Sequence, residues 1–327
     1  GEPPTAPNDG DYVADRWIVN TEATGAVDVA KEIFDVPVGS SSALKATVKA
    51  AGNNKKFGFA QRIVGVNSAQ LKGKTVSLSL KAKTNRSTAT GKVDELGVKS
   101  LKAVIFSWSG SEDVLTSMIN NWKLAGENIL QAANYDYASN PTLNFAMSTG
   151  WETYKVEGIE LAGEDIENLV VFIWSNEQDG ENTDWVKISQ VQLEVGETAT
   201  DFEYRSIGDE LALCQRYFEH SSDIGMIPDA QNDNTFYATG EYNSDTILAF
   251  STPFKVYKRS TPLVTIYAYD GTSGQVSDFN AGGKFGATGC APSKIGEAGY
   301  NGIIKTGGTN FVSGNKYWWR WKAEAEI

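Results

Sequence analysis

Flat aromatic side chains beside short polar ones are the residues of this chain that could do chemistry. Trp108 in "FSWSG" and Trp174 in "FIWSN" each end an apolar run, and Asn176, Gln178 and Asp179 follow Trp174 directly. An indole stacks on the C–H face of a pyranose ring, while amides and carboxylates beside it fix the hydroxyl groups. Trp122, Trp151 and Trp185 offer the same chemistry, and the candidate glycan set is Trp108, Trp151, Trp174, Asn176, Gln178 and Asp179. A tryptophan among apolar neighbours serves a hydrophobic core equally well, so core and ligand roles both stay open for each.

Catalytic constellations are sparse. His220 is the sole histidine, so a Ser-His-Asp triad has no other base to draw on. Its place just past a helix suits capping of the last carbonyls better than catalysis. Glu112 with Asp113, or Asp179 with Glu181, could form a glycosidase carboxylate pair, yet adjacent acids in loops more often form solvated turns. No nucleophile elbow, phosphate-binding loop or zinc-helix motif occurs. The expectation is a non-catalytic protein. Cys214 and Cys290 lie far apart with no Cys/His cluster, which argues against a structural zinc site. Cys214 reads as a small hydrophobe on the helix, with a disulfide to Cys290 as the alternative.

The elements that must position these groups are strands. The stretches "SALKATVKA", "FGFAQRIVG", "TVSLSLKAKT", "KAVIFSWSG", "WETYKVEGIEL", "NLVVFIWSN" and "DWVKISQVQLEVG" carry the signal. Val76-Ser77-Leu78-Ser79-Leu80 alternates strictly, as a half-buried strand does, whereas "NLVVFIW" is continuously apolar, as a strand covered on both faces is. Some eight strands with long polar connections fit a jelly-roll sandwich over residues 11–205, behind a proline-rich arm at 1–10. Residues 112–135 read as locally helical or loop-like.

Ser206 and Asp209 match the Ser-x-x-Asp capping signature. Leu211, Cys214 and Phe218 follow on one face, with Leu213 and Tyr217 alongside. This predicts a short linking helix over 206–219, which either brackets two β units or packs between subunits. Residues 220–327 read as a second, smaller β domain. It ends in "YWWRW", where Trp319 and Trp321 alternate with Trp318 and Arg320. Both faces of one terminal strand are thus bulky. Leu211, Tyr217, Trp318, Trp319 and Trp321 are the candidate oligomer interface, with a glycan site as the alternative for the tryptophans.

Net charge is −12, concentrated before residue 220, which disfavours nucleic acid as a partner. No apolar run reaches the ~18–20 residues of a membrane-spanning helix, so no membrane insertion is expected.

Three landmarks carry a family resemblance. Residues 189–219, "SQVQLEVGETATDFEYRSIGDELALCQRYFE", resemble a segment common in tail-fibre and other virion proteins of tailed bacteriophages. The end, "YWWRWKAEAEI", resembles their Trp-x-Ala-Asp-Ala-Glu-Leu terminus, departing at Glu324 and Ile327. "ADRWIVNT" looks like their opening. Residues 11–205 also resemble a carbohydrate-binding module of the family 4/9 jelly-roll type. The resemblance implies a virion protein, in tail fibre or on the head, with a homotrimer, other virion proteins and a host-surface polysaccharide as partners. It implies receptor binding first, capsid decoration with the jelly roll as scaffold second, and polysaccharide depolymerase third. A structural calcium is a familiar feature of such jelly rolls, and Asp9, Asp11 and Asp184 are its candidate ligands.

Overall fold

A computed structural model describes residues 7–14, 16–85, 100–124, 127–138, 144–146, 148–163, 165–175, 181–223, 238–278, 283–284 and 287–325. The chain divides into two compact units, one running to Tyr204 and the other beginning at Arg205.

In chain order the first unit contains β1 (Tyr12–Ala14), β2 (Trp17–Thr21), β3 (Val27–Glu32), β4 (Ala43–Val48), β5 (Phe57–Ile63), β6 (Thr75–Thr84) and β7 (Ser100–Trp108). There follow β8 (Ile119–Asn121), β9 (Leu130–Gln131), β10 (Tyr135–Tyr137), β11 (Asn144–Ala146), β12 (Glu152–Glu160), β13 (Asn168–Ser175) and β14 (Trp185–Val195). One sheet runs β1-β2-β5-β13-β7-β10, with β11 also on β7, and the other runs β12-β6-β14-β4-β3. All these pairings are antiparallel. The unit is a jelly-roll β-sandwich.

Its inner core follows the alternation in the sequence. Val76, Leu78, Leu80 and Ala82 of β6 meet Leu101, Ala103 and Ile105 of β7 and Leu169, Val171 and Ile173 of β13 in one buried cluster. The opposite parity of the first sheet forms a second cluster on its outer face: Val104, Phe106, Trp108, Val170, Phe172 and Trp174. Every residue of β13 is buried, as its continuous apolar run predicts. Met118, Ile129 and Tyr135 cover this outer face. Tyr135 opens β10, which pairs with β7, and Met118 and Ile129 directly precede the strands of the small β8–β9 hairpin; no helix stands among the described residues of 112–135, although the sequence left one open there.

Two buried lysines fasten that cover. The Lys56 ammonium, fully buried, donates to the carbonyls of Trp122, Leu124 and Glu127 at 3.1, 2.7 and 3.1 Å. Burial pushes its pKa down to about 8. Lys102 donates to Asn128 Oδ1 at 2.6 Å.

The second unit opens with the helix Ile207–Gln215, capped as its sequence predicts: Ser206 Oγ accepts from the Asp209 N–H at 3.2 Å. It stops three residues before Phe218, which lies in a strand, and none of its residues is fully buried. The helix belongs to the second unit. The closing strand Lys316–Glu324 sits in the middle of a nine-stranded sheet. Its first half pairs with Ala238–Ser244 and Ser277–Asp278, and its second half with Phe218–His220 and Leu263–Tyr267.

That placement corrects the interface expectation. Trp319 and Trp321 are 0 % and 4 % exposed, inside a cluster with Tyr300, Phe254 and Ile303 of their own unit. On the other parity, Arg320 is fully buried and donates to the carbonyls of Ala268 and Tyr269, while Trp318 packs on Tyr269 at 5.4 Å. The sheet thus covers Trp319, Trp321 and Arg320 within its own unit, while Trp318 stays partly exposed. Tyr217 is buried as well, and Leu211 is half-buried.

Candidate functional site

The tryptophans that end β7 and β13 are core. Trp174 is fully buried and stacks on Phe172 at 5.2 Å with 12° between planes. Trp108 is 3 % exposed, lies 4.7 Å from Tyr135, and donates its Nε1–H to Ser111 O at 2.9 Å. Both follow the parity of Phe106 and Phe172, and that face is covered. Neither can present a ring to a sugar, which corrects the assignment of Trp108 and Trp174. Trp122 belongs to the same covered cluster. Asn176, Gln178 and Asp179 lie outside the described residues.

Trp151 has a different setting. It directly precedes β12, is partly exposed, and shares a face with partly exposed Trp185 at the start of β14. Val186 and Ile188 point into the core, so Trp185 and Lys187 project from the outer face of the second sheet. On that face Lys187 stands directly opposite Lys83 of β6 on one side and Lys45 of β4 on the other. Three cationic side chains thus form one cross-strand row. Like charges placed this way destabilise a sheet unless something neutralises them.

The turn after β3 supplies the neutralisation. Asp35 accepts from Lys187 at 2.6 Å, from Lys83 at 3.0–3.1 Å and from Trp151 Nε1–H at 3.2 Å. Glu32 accepts from Lys187 at 2.8 Å through one oxygen. Through the other it caps its own turn, accepting from the N–H groups of Ile33, Phe34 and Asp35. The Lys187 ammonium lies 4.7 Å from the centre of the Trp185 ring, with Lys45 at 5.7 Å and Lys83 at 5.9 Å.

The far end of the loop is fixed by Gln190, whose Nε2 donates to Val38 O at 3.0 Å, and by Tyr204, whose hydroxyl donates to the same carbonyl at 2.9 Å. A β-bulge between Ser189 and Gln192 turns Gln190 to this task. Gly39 permits the close approach: its φ is +85°, and an added Cβ would collide with the Tyr204 ring. Between these anchors Phe34 and Val38 are each 91 % exposed.

Hydrogen bonding from Lys187 holds the carboxyls of Glu32 and Asp35 down at about 2 each. Burial opposes the charge on Lys187, but the bonds from Asp35 and Glu32 raise its pKa overall. Carboxyls with depressed pKa stabilise the fold fully above their ordinary values of 4.5 and 3.8, and lose that contribution as pH falls toward 2. The urea midpoint is therefore expected to drop between about pH 5 and pH 2. The drop will be smaller in Glu32→Gln/Asp35→Asn, and an unchanged slope in that variant would mean the acid sensitivity lies elsewhere.

Of the remaining acidic candidates, Asp113 holds backbone. Asp113 Oδ1 accepts from the Gly65 N–H at 2.9 Å and from Asn168 Nδ2 at 2.6 Å. Glu181 lies in the turn ending at Asp184, and Asp179 lies outside the described residues. The calcium candidates make hydrogen bonds within the fold. Asp9 accepts from Asn20 and the Thr21 N–H, Asp11 from the Asn8 N–H, and Asp184 from the Glu181 N–H and Asn85. No three acidic, histidine or cysteine side chains gather into a metal-holding group among the described residues.

His220 does not cap the helix. It lies in the strand opposite Lys322 and meets Phe218 edge-on, while the last helical carbonyl, Gln215 O, accepts from Lys258. Cys214 is half-buried and Cys290 buried, and no disulfide joins them.

No protein-family model matches the sequence, and no curated protein does. Among solved structures, the chain is similar to a family 4 carbohydrate-binding module at 13 % identity and TM-score 0.33, over 56 % of this chain and 97 % of the module. It is similar to the C-terminal family 22 carbohydrate-binding module of Clostridium thermocellum Xyn10B at 11 % identity and TM-score 0.35, over 59 % and 94 %. The enzymatically active domain of bacteriophage CBA120 tailspike protein 4 matches at 13 % identity and TM-score 0.33, over 57 % of this chain and about a fifth (20 %) of that one. At these scores the likenesses carry no weight in assigning a ligand.

Proposed function

We propose that this chain is a virion-surface protein of a tailed bacteriophage that attaches without catalysis to a host-surface glycan, through the outer face of the second jelly-roll sheet. The observation that carries the binding reading is the pair of partly exposed indoles, Trp151 and Trp185, on one sheet face around Asp35. Flat apolar surface beside fixed donors and acceptors is what a sugar ring requires. The phage origin, the tail-fibre position and a homotrimeric assembly rest on the three sequence landmarks, in their order along the chain.

The chemistry of the face argues for binding over hydrolysis. A glycosidase needs one carboxyl held protonated near neutral pH. Glu32 and Asp35, at about 2, are both committed anions paired with lysines. Trp151→Ala and Trp185→Ala are each expected to weaken binding of the labelled protein to host cells by roughly ten-fold, with the fold intact by near-ultraviolet circular dichroism. Undiminished cell binding in the double variant would remove this face from the proposal.

A further inference from the structure

Resting on that reading, we infer that the glycan is acidic: a polymer carrying sugar carboxylates, taken between the two indoles by the lysine row, with Asp35 standing in the place a ligand carboxylate would fill.

The charge balance of the face leads there. Lys81, Lys83, Lys187 and Lys45 all project from its middle, on the parity opposite the core residues of β6, β14 and β4. Two carboxylates pair with these four cations, Glu32 and Asp35, while the other acids of the face, Asp28, Glu157 and Glu194, lie by Lys49 and Lys155 away from its middle. Lys45 and Lys81 have no carboxylate partner among the described residues. In a chain of net charge −12 this is a local cationic surplus, and it lies beside the two partly exposed indoles. A neutral sugar gains little from ammonium groups, since they are costly to desolvate without an anion. A uronate or similar sugar acid meets both features at once, its ring on an indole and its carboxylate on a lysine.

Asp35 shows what such an anion would contact. Its two oxygens reach Lys83, Lys187 and the Trp151 N–H together, and its side chain is still 43 % exposed. It sits in the turn of residues 32–35 and is fixed from the other side only through Glu32. Glu32, by contrast, is 14 % exposed and caps the turn, so its role is structural. A ligand carboxylate and Asp35 therefore compete for Lys83.

The test uses the whole chain against polygalacturonate, alginate, hyaluronan and polysialic acid, each beside its carboxyl-reduced counterpart, with neutral xylan, galactan and cellulose oligosaccharides in the same panel. The expected result is retention of at least one acidic polymer, at least ten-fold weaker retention of its reduced form, and binding that falls as salt is raised. Equal retention of a reduced or neutral glycan overturns the acidic inference and leaves glycan binding standing. Retention of nothing in either set overturns both.

Two variants then locate the contact. Lys45→Gln/Lys81→Gln removes cations that hold no part of the fold's ion-pair network, and is expected to lower acidic-polymer binding and flatten its salt dependence. Asp35→Asn keeps an acceptor for the Trp151 N–H and frees Lys83. It is expected to tighten acidic-polymer binding about three- to five-fold. Weaker binding in Asp35→Asn would overturn the competition and make Asp35 a ligand contact instead.

Discussion

Trp174→Ala is expected to cost the N-terminal unit about 3–5 kcal/mol while leaving glycan retention per folded molecule unchanged. The cost follows from the place of the ring. It is fully buried, stacked on Phe172, and part of a cluster that includes Ile18, Ala60 and Phe106 across three strands. The covering chain comes from residues held by Lys56 and Lys102, so the surroundings are poorly placed to collapse into the cavity. Denaturant unfolding followed by tryptophan fluorescence gives the stability, and the same protein at low temperature gives the binding. Loss of binding with unchanged stability would reverse the assignment of Trp174 to the core and return it to the ligand. Trp108→Ala should behave alike, with the Ser111 carbonyl losing its donor as well.

This result separates what the sequence could convey from what it could not. Alternation in Val76-Ser77-Leu78-Ser79-Leu80 predicts one buried face, and the continuous apolar run 169–174 predicts two; β13 is buried on both faces as expected, but in β6 Ser77 and Ser79 are buried along with Val76, Leu78 and Leu80, and Ser77 Oγ donates to Gly196 O. Sequence parity also places Trp108 with Phe106 and Trp174 with Phe172. It is silent on what lies over that face. The cover is made by Met118 and Ile129, each just before a strand of two or three residues, and by Tyr135 of the three-residue β10; none lies in a run long enough to show a period, and periodicity is the signal by which sequence reveals burial.

The binding face was legible in half. Trp151 and Trp185 stand out by type. The carboxylates that organise them come from residues 32–35, and Asp35 is 152 positions from Lys187. Strand order alone brings them together, through β3 at the sheet edge and β14 at its centre. The lysine row needs the register of β6, β14 and β4, which no single strand encodes. In the second unit the aromatic terminus misled for a related reason. "YWWRW" is too bulky on both faces for an edge strand, and it lies in the middle of a nine-stranded sheet.

Lys258→Met is expected to destabilise the second unit by about 3–5 kcal/mol, because it strands a buried carboxylate. Lys258 and Glu219 are 0 % and 2 % exposed, and the ammonium donates to Glu219 Oε2 at 2.6 Å. It also donates to Gln215 O at 2.7 Å and Val256 O at 3.1 Å, so one group ties the helix end to the loop after the strand Ile247–Pro253. Burial lowers the Lys258 pKa, a sign that desolvating the ammonium is expensive even with these partners. Once it is gone, Glu219 keeps the Lys255 N–H as its remaining donor and faces a dry site as an anion. Glu219→Gln/Lys258→Met should recover part of the loss, since the amide is neutral and still accepts from Lys255. The two helix and loop carbonyls stay unsatisfied in the pair, so recovery will be incomplete. Unfolding of the two single variants and the double variant gives the coupling between the groups directly. Additive losses, with no recovery in the double variant, would mean that the carbonyl contacts of Lys258 hold this corner and the ion pair does not.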